Sequence, residues 1–286
     1  MSTTPPTLPR VVRTIAELRE LIAGRADVAL VPTMGALHEG HLALVRHAIE
    51  RTPTVVVSIF VNPLQFAANE DLERYPRTLE TDLATLTAWP SLIVFAPDVA
   101  ELYPQTPIPT TVTAGSVASR FEGRSRVGHF DGVLTVVSKL LNIAQPRWVV
   151  FGQKDAQQVF LVRQMVADLN FPVTVDIVET VRDTDGLALS SRNRFLDDKH
   201  RRAAIAIPNA LEAASSSADL GIDAVLAAAQ SVLMGESLVA LDYLAVVVPS
   251  TFVPVNDDYR GKALVVIAAE VGGIRLIDNA QIYLGA

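Results

Sequence analysis

His38-Glu39-Gly40-His41 sets two imidazoles three residues apart, directly behind the turn Met34-Gly35-Ala36-Leu37. The apolar run Val28 to Val31 leads into this stretch, and Leu42, Leu44, Val45, Ala48 and Ile49 lead out of it with helical spacing. Strand, glycine turn and helix start form an anion-binding layout, because the first amides of a helix lack intrahelical partners and attract negative charge. The imidazoles add donors that can become cationic. The competing reading is a set of helix-capping polar residues at the surface. The spacing Gly35-x4-Gly40-His41-Leu42 also mimics a phosphate loop. Such a loop needs Lys and Ser or Thr where this chain has His41 and Leu42, which argues against a Walker-type NTPase. The stretch reads as a nucleotide site.

Four further stretches carry chemistry-bearing side chains. Asn62-Pro63-Leu64-Gln65-Phe66 follows an apolar run, where an amide can bond a substrate hydroxyl or carboxylate; an ordinary turn explains it equally well. Arg120 to His129 holds Arg120, Arg124 and Arg126, and reads either as a mobile anion clamp or as a solvated basic loop. In Gly152-Gln153-Lys154-Asp155-Ala156-Gln157-Gln158, Lys154 is a point charge suited to a phosphate, and Gln158 lies one turn further on. Asp155 there has the alternative role of a helix N-cap. Leu189-Ser190-Ser191-Arg192-Asn193-Arg194 offers two hydroxyls and a guanidinium, good phosphate ligands, against the reading of a capping serine.

The elements that must position these residues alternate. Thr14–Ala23 reads as an amphipathic helix, Val28–Val31 as a strand and about Gly40–Arg51 as a helix. Val55–Val61 is a β-branched run of the kind found in a parallel strand covered on both faces. Helix over Leu79–Trp89, strand over Leu92–Phe95, helix over Phe130–Ile143, strand over Trp148–Phe151, helix over Asp155–Leu169 and strand over Val173–Val181 follow. Between them, Pro97–Pro109 reads as an extended loop and Gly115–Gly128 as a glycine-spaced basic loop. Alternation of this kind predicts a parallel, doubly wound α/β sheet, whose ligands bind beyond the carboxyl ends of the strands. After about residue 182 the pattern becomes helix over Lys199–Ala214 and Ala224–Leu233. Strands over Leu238–Val248, Ala263–Ala269 and Ile274–Ile277 follow, with a Gly272-Gly273 hairpin turn. The expected organisation is a domain over 1–181 and a smaller α+β domain over 182–286.

The bulk composition narrows the classes. Half of the 286 residues are hydrophobic, enough for a sizeable core, and no apolar run approaches bilayer length. Met1 to Arg10 is Thr- and Pro-rich without an apolar core, so a loose tail and a cytoplasmic enzyme are expected. The absence of cysteine excludes disulfides, thiolate-ligated zinc and thiol nucleophiles. A formal charge of −7 argues against nucleic acid as the main partner. The histidines and acids show no zinc-type spacing, whereas Mg²⁺ held mainly by ATP phosphates needs few protein ligands.

Five motifs in order resemble the pantoate–β-alanine ligase family over nearly the whole chain. They are Val31-Pro32-Thr33-Met34-Gly35 with His38-Glu39-Gly40-His41; Phe60-Val61-Asn62-Pro63 with Gln65-Phe66; Tyr75-Pro76-Arg77-Thr78; Gly152-x-Lys154-Asp155-x-Gln157-Gln158; and Ser190-Ser191-Arg192-Asn193. The resemblance implies a Rossmann-like doubly wound parallel sheet with a smaller C-terminal α+β lid domain, within the HxGH nucleotidyltransferases. It implies that ATP and pantoate give pantoyl adenylate and pyrophosphate, and that β-alanine then displaces AMP. It places Met34, Gly35, Ala36, Leu37, His38, Glu39, Gly40 and His41 at ATP, with His41 labelled proton donor. Gly152, Gln153, Lys154, Asp155, Val181, Leu189, Ser190, Ser191 and Arg192 complete that site. Gln65 and Gln158 would hold pantoate, and Glu122 and Arg126 would lie in a mobile flap. Members are generally homodimers that use Mg²⁺. Three positions depart from the family pattern: Gln153 stands where Glu is common, Ala156 where an aromatic is common, and Leu189 where Met is common. Of an acidic pair near Thr81-Asp82 only Asp82 remains, as the candidate protein ligand to the metal.

The residue types fit this chemistry. A carboxylate attacking an α-phosphate needs two anions brought together, so positioning and charge neutralisation carry the catalysis. His38, His41, Lys154 and Arg192 are the groups expected to do so. Two alternatives differ in class. A nucleotidylyltransferase that transfers AMP to a phosphate would need a cationic acceptor pocket where Gln65 and Gln158 stand. A nucleotide-binding regulatory module would bind ATP without turnover.

Overall fold

The computed structural model describes residues 8–25, 27–66, 72–105 and 107–285. Most of the expected N-terminal tail, 1–7, lies outside the described residues. Nine strands and ten helices are present among them, numbered here in chain order. By internal contact the chain forms two units, Met1–Gly152 with Leu161–Val178, and Gln153–Phe160 with Glu179–Ala286.

The first unit is an α/β fold. Its strands are β1 (Arg10–Val12), β2 (Ala29–Thr33), β3 (Val55–Ile59), β4 (Ile93–Phe95), β5 (Trp148–Gly152) and β6 (Thr174–Val178). Helices α1 (Ile15–Ile22), α2 (Glu39–Arg51), α3 (Leu79–Thr85), α4 (Val99–Leu102), α5 (Glu122–Ser125) and α6 (His129–Ala144) lie between them, and α7 (Ala156–Asp168) precedes β6. The sheet is parallel throughout, in the order β1-β4-β3-β2-β5-β6. Alternate residues explain why the strands are apolar on both faces. Ala29, Val31, Val55, Val57 and Val94 join one cluster with Leu44, Val45 and Ala48 of α2. Their neighbours Leu30, Val56 and Val149 point the other way and are equally buried. Each such Val or Leu side chain contributes about 1.5–3 kcal/mol over the exposed state.

The strand order reverses between β2 and β5, and Pro32 shows how the sheet opens there. β2 pairs with β5 only through Ala29 and Leu30, while its pairing with β3 runs to Thr33. Proline has no N–H to continue a ladder. The two strands therefore part before their carboxyl ends, at the point where an open parallel sheet accepts ligands.

Several segments differ from the sequence expectation. Arg10–Val12, placed at the end of the tail and beyond, is an edge strand paired with β4. The 97–109 segment contains α4, capped by the Asp98 carboxylate on the Glu101 amide. The basic segment 115–128 is mostly structured: a 3-10 turn over Ser116–Ser119, then α5, with Glu122 and Gly123 buried. Gly123 is needed there, since a Cβ would lie 1.6 Å from the Ala118 carbonyl oxygen.

The second unit contains α8 (Asp198–Ala204), α9 (Ala206–Ser216), α10 (Ile222–Met234), β7 (Val239–Val247), β8 (Gly261–Val271) and β9 (Ile274–Leu284). The single helix expected over Lys199–Ala214 breaks at Ile205, because Pro208 lacks the N–H that would reach the Ala204 carbonyl and its ring crowds that group. The three strands form an antiparallel sheet in the order β7-β8-β9. Gly272 and Gly273 make the β8–β9 turn with φ of 60° and 76°, a conformation that favours glycine. Ile207, Ala210, Leu211 and Ala214 of α9 pack with Val225, Ala229 and Leu233 of α10 and with Val265 and Ile267 of β8.

Candidate active site

In the first unit, the turn after β2 is held from below. Gly35 has φ 82° and Ala36 φ 50°. A Cβ at Gly35 would meet the Asp82 Oδ2 at 2.9 Å and Ile59 Cγ2 at 3.1 Å, so this position requires glycine. The Ala36 amide donates to Asp82 Oδ2 at 3.1 Å and the Leu37 amide to Asp82 Oδ1 at 2.7 Å. The Thr78 hydroxyl adds a third bond at 3.3 Å. The turn amides expected to attract an outside anion thus already hold an internal one. Asp82 itself, 2% exposed, uses both carboxylate oxygens on the turn. Among the described residues no group of three His, Cys, Asp or Glu could hold a metal ion by itself, so a Mg²⁺ contact from Asp82 would be that of a single carboxylate beside the ATP phosphates.

The two histidines cap α2 reciprocally. His38 Nδ1 accepts the Gly40 amide at 3.2 Å, and His41 Nδ1 accepts the His38 amide at 3.3 Å. The rings stand 4.1 Å apart. An Nδ1 that accepts leaves the proton of a neutral imidazole on Nε2, so both rings are set as Nε2–H donors. The capping reading and the functional reading are therefore compatible: capping selects the tautomer. Met34, Leu37 and Gly40 are half-buried and Glu39 is exposed, where it pairs with Arg46 at 2.6 Å.

Gln65 sits in a 3-10 turn after β3, and its polar atoms are largely committed. Its Oε1 accepts from Asn62 Nδ2 at 3.1 Å, and its Nε2 faces Met34 Sδ at 3.0 Å. Its backbone carbonyl accepts His129 Nδ1–H at 2.8 Å. Arg126 donates to His129 Nε2 at 3.0 Å, which leaves the proton on Nδ1. Asn62 in turn gives Nδ2 to the Gly132 carbonyl at 3.1 Å and takes the Tyr103 hydroxyl on Oδ1 at 2.8 Å. Burial pushes the Tyr103 phenol well above its ordinary value, so it remains a donor. Gly132 lets α6 approach this turn: a Cβ would lie 2.3 Å from the Leu64 carbonyl oxygen. The net result is a Gln65 amide whose oxygen is occupied and whose N–H meets, among the described residues, a weak thioether acceptor.

In the second unit, Gln153–Asp155 form a 3-10 turn at the start of α7. The Lys154 side chain is 18% exposed, and its Nζ lies 3.9 Å from Asp155 Oδ1, a long contact that leaves its donors largely unspent. Gln158, half-buried, lies one turn further on α7. Asn279 of β9 donates Nδ2 to the Gln153 carbonyl at 3.0 Å and to the Lys154 carbonyl at 2.9 Å. Its Oδ1 accepts Gln153 Nε2 at 3.2 Å. Arg182 grips the neighbouring Asp278 carboxylate through both terminal nitrogens.

Val181 and Leu189 face each other across a loop closed by the Leu189 amide on the Val181 carbonyl at 2.9 Å. Ser190 caps the 3-10 turn Ser191–Phe195 by accepting the Arg192 amide at 3.3 Å, as the capping alternative proposed. Asn193 Nδ2 holds the Ala188 carbonyl at 3.0 Å. Arg201 binds Asp183 and Asp185. The half-buried Arg192, by contrast, has no carboxylate partner among the described residues, so its charge is available. Asp82, Tyr103, His129, Asp278 and Asn279 support the candidate residues without standing in a motif with them. Asp278-Asn279 did leave one signal: two adjacent polar residues interrupt an apolar strand, on both of its faces.

The chain is 58% identical over 262 residues to the pantothenate synthetase of Leifsonia xyli subsp. xyli, covering 92% of this chain and 91% of that one. The crystal structure of pantothenate synthetase from Thermus thermophilus superposes with a TM-score of 0.91 at 45% identity, over 96% of this chain and 99% of that one. The pantoate-beta-alanine ligase of Francisella tularensis, solved as a complex with beta-gamma ATP and beta-alanine, gives a TM-score of 0.79 at 31% identity, over 95% and 97% of the two chains. The sequence pattern of one family, pantoate-beta-alanine ligase, spans residues 10–281, and on that match and these identities the chain belongs to the pantoate–β-alanine ligase family.

Proposed function

We propose that this protein condenses pantoate with β-alanine to pantothenate at the expense of ATP. A pantoate carboxylate oxygen attacks the α-phosphorus, the bond to the β-phosphate breaks, and pyrophosphate leaves. The β-alanine amine then attacks the acyl carbon of pantoyl adenylate, the acyl–oxygen bond breaks, and AMP leaves as the amine loses a proton. Both steps bring like-charged or crowded groups together, so the protein supplies position and compensating charge rather than a nucleophile.

The observation that carries this reading is the pair of histidines held as Nε2–H donors at the carboxyl end of β2. Neutral donors fixed before the substrate arrives stabilise growing phosphate charge without reorganisation. Met34–His41 and Gly152–Asp155, with Val181 and Leu189–Arg192, are the residues we assign to ATP. Lys154 and Arg192 supply positive charge, and His38 and His41 supply directed hydrogen bonds. The Gln65 amide offers an N–H to a pantoate oxygen in place of the Met34 sulfur, and Gln158 is assigned to the same acid. Magnesium enters with the ATP phosphates; the described residues offer no ligand set of their own, and no step depends on one. A homodimer in the cytoplasm follows the family resemblance, and no described helix is long and apolar enough to cross a membrane.

Product analysis with ATP, pantoate and β-alanine, omitting each in turn, tests the reaction. AMP and pantothenate are expected only when all three are present, and pyrophosphate exchange into ATP when pantoate alone is added. AMP release without β-alanine, or transfer of AMP to a phosphorylated acceptor, would overturn it.

A further inference from the structure

We propose that Asn279 is a positioning residue for Lys154: Asn279 acts on ATP only through the backbone of the Gln153–Asp155 turn, from which the Lys154 side chain extends. The inference rests on the reading of Lys154 as a phosphate ligand. Asn279 is 5% exposed, yet three of its bonds go to one short turn 125 and 126 positions earlier in the chain. Its two N–H groups take consecutive carbonyls, those of Gln153 and Lys154, and its oxygen takes the Gln153 side chain. Carbonyls are obligate acceptors, so the amide has only one orientation that satisfies the turn. Gripping two successive carbonyls fixes the peptide plane between them, and with it the direction in which the Lys154 side chain leaves the backbone. The side chain is flexible, so direction at its root is what the fold can control.

Asn279 is itself held. Its amide donates to Asp278 Oδ1 at 2.8 Å, and that carboxylate, 3% exposed, is fixed by Arg182. The strand around them is locked in register, with Asp278 opposite Ile267 and Asn279 opposite Val266 of β8. The reach from Arg182 through Asp278 and Asn279 to the turn is therefore continuous, and each member is bonded on both sides. No bond of this set touches the ammonium group, which separates positioning from direct action on the phosphate.

The test is a double-mutant cycle on the full chain. Asn279→Asp keeps the volume but turns two donors into acceptors facing carbonyl oxygens. Pantoate-dependent ATP–pyrophosphate exchange, calorimetric ATP affinity and thermal unfolding are measured for Asn279→Asp, Asn279→Ala, Lys154→Ala and the Lys154→Ala/Asn279→Asp double variant. Asn279→Asp is expected to lower kcat/KM for ATP by about 100-fold, the scale of an ångström-sized misplacement. The KM for pantoate should stay unchanged, and the double variant should be no worse than Lys154→Ala alone. Losses that multiply in the double variant, a loss shared equally by ATP and pantoate, or wild-type exchange in a folded Asn279→Asp protein would overturn the proposal. If neither Asn279 variant folds, Gln153→Ala decides the matter: it removes one bond of three at a half-exposed position. A several-fold loss is then expected, absent from the Lys154→Ala background, and a loss that persists there overturns the proposal. Wild-type exchange in Lys154→Ala would instead overturn the reading of Lys154 itself.

Discussion

Each unit holds candidate residues beside one buried asparagine, and the two asparagines are used differently. Asn62 of the first unit, 1% exposed, bonds another side-chain amide and so determines how Gln65 is oriented: oxygen on Asn62, N–H toward the Met34 sulfur. Asn279 of the second unit bonds backbone carbonyls and so determines where Lys154 starts. The contrast follows from the groups served. A glutamine amide has two faces of opposite polarity and must be told which to show. An ammonium group donates in every direction and needs only a fixed root.

The largest effects are expected from removing one candidate phosphate-binding group from each unit. Lys154→Ala and His41→Ala should each reduce pantoate-dependent ATP–pyrophosphate exchange by at least ~100-fold, the effect of losing one strong electrostatic contact. Near-wild-type exchange in either would remove that residue from the candidate site. Next comes polarity. Asn62→Asp leaves the shape but cannot donate to Gln65, so the Gln65 amide loses its reason to point oxygen inward. Pantoate KM should rise about 10- to 100-fold, as for an unmet buried hydrogen bond of about 1–3 kcal/mol, with ATP affinity unmoved. Equal losses for both substrates would mean that the network merely supports the fold.

The smallest effect provides a baseline outside both networks. Asp176 is bonded by His47 at 2.9 Å and Arg51 at 2.7 Å. Burial raises its pKa, but the His47 and Arg51 hydrogen bonds and charges outweigh this and hold the carboxyl below its ordinary 3.8. A depressed carboxyl contributes stability above its unfolded pKa and loses it as pH falls through the folded value. Wild type should therefore exceed Asp176→Asn in thermal stability at pH 7, by no more than about 1 kcal/mol. The gap should close on acidification below about pH 4, near the unfolded value. A gap that persists at pH 2 would show that Asp176 acts by packing alone.

What the sequence discloses depends on distance along the chain. The α/β alternation, the turn at Gly35 and the His38–His41 spacing are local, and each appears in the structure close to where the pattern puts it. The helix break at Ile205 is local too, written in Pro208. The supporting residues are not. Asp82 reaches the Gly35 turn from 45 and 46 positions away, and Tyr103 reaches Asn62 from 41. A carboxylate that bonds two amides looks, in a sequence, like any acid near the start of a helix. The family resemblance offers Asp82 as a metal ligand, and its bonds to the Ala36 and Leu37 amides are a further role that the sequence does not show. The tautomers of His38 and His41 are equally hidden, since they depend on which amide each Nδ1 accepts.

The three-residue strand β1 bears on a different property, the behaviour of the chain in company. β4 is Ile93-Val94-Phe95, short and wholly apolar, and β1 covers its outer edge with Arg10–Val12. An uncovered apolar edge is a template for pairing with another chain. With β1 in place, the outermost strand of the sheet is instead a short one that begins at Arg10 and is followed by Arg13, which resists a further partner. A few residues at the margin of the fold, remote from the Gly35 turn, thus guard the sheet against aggregation.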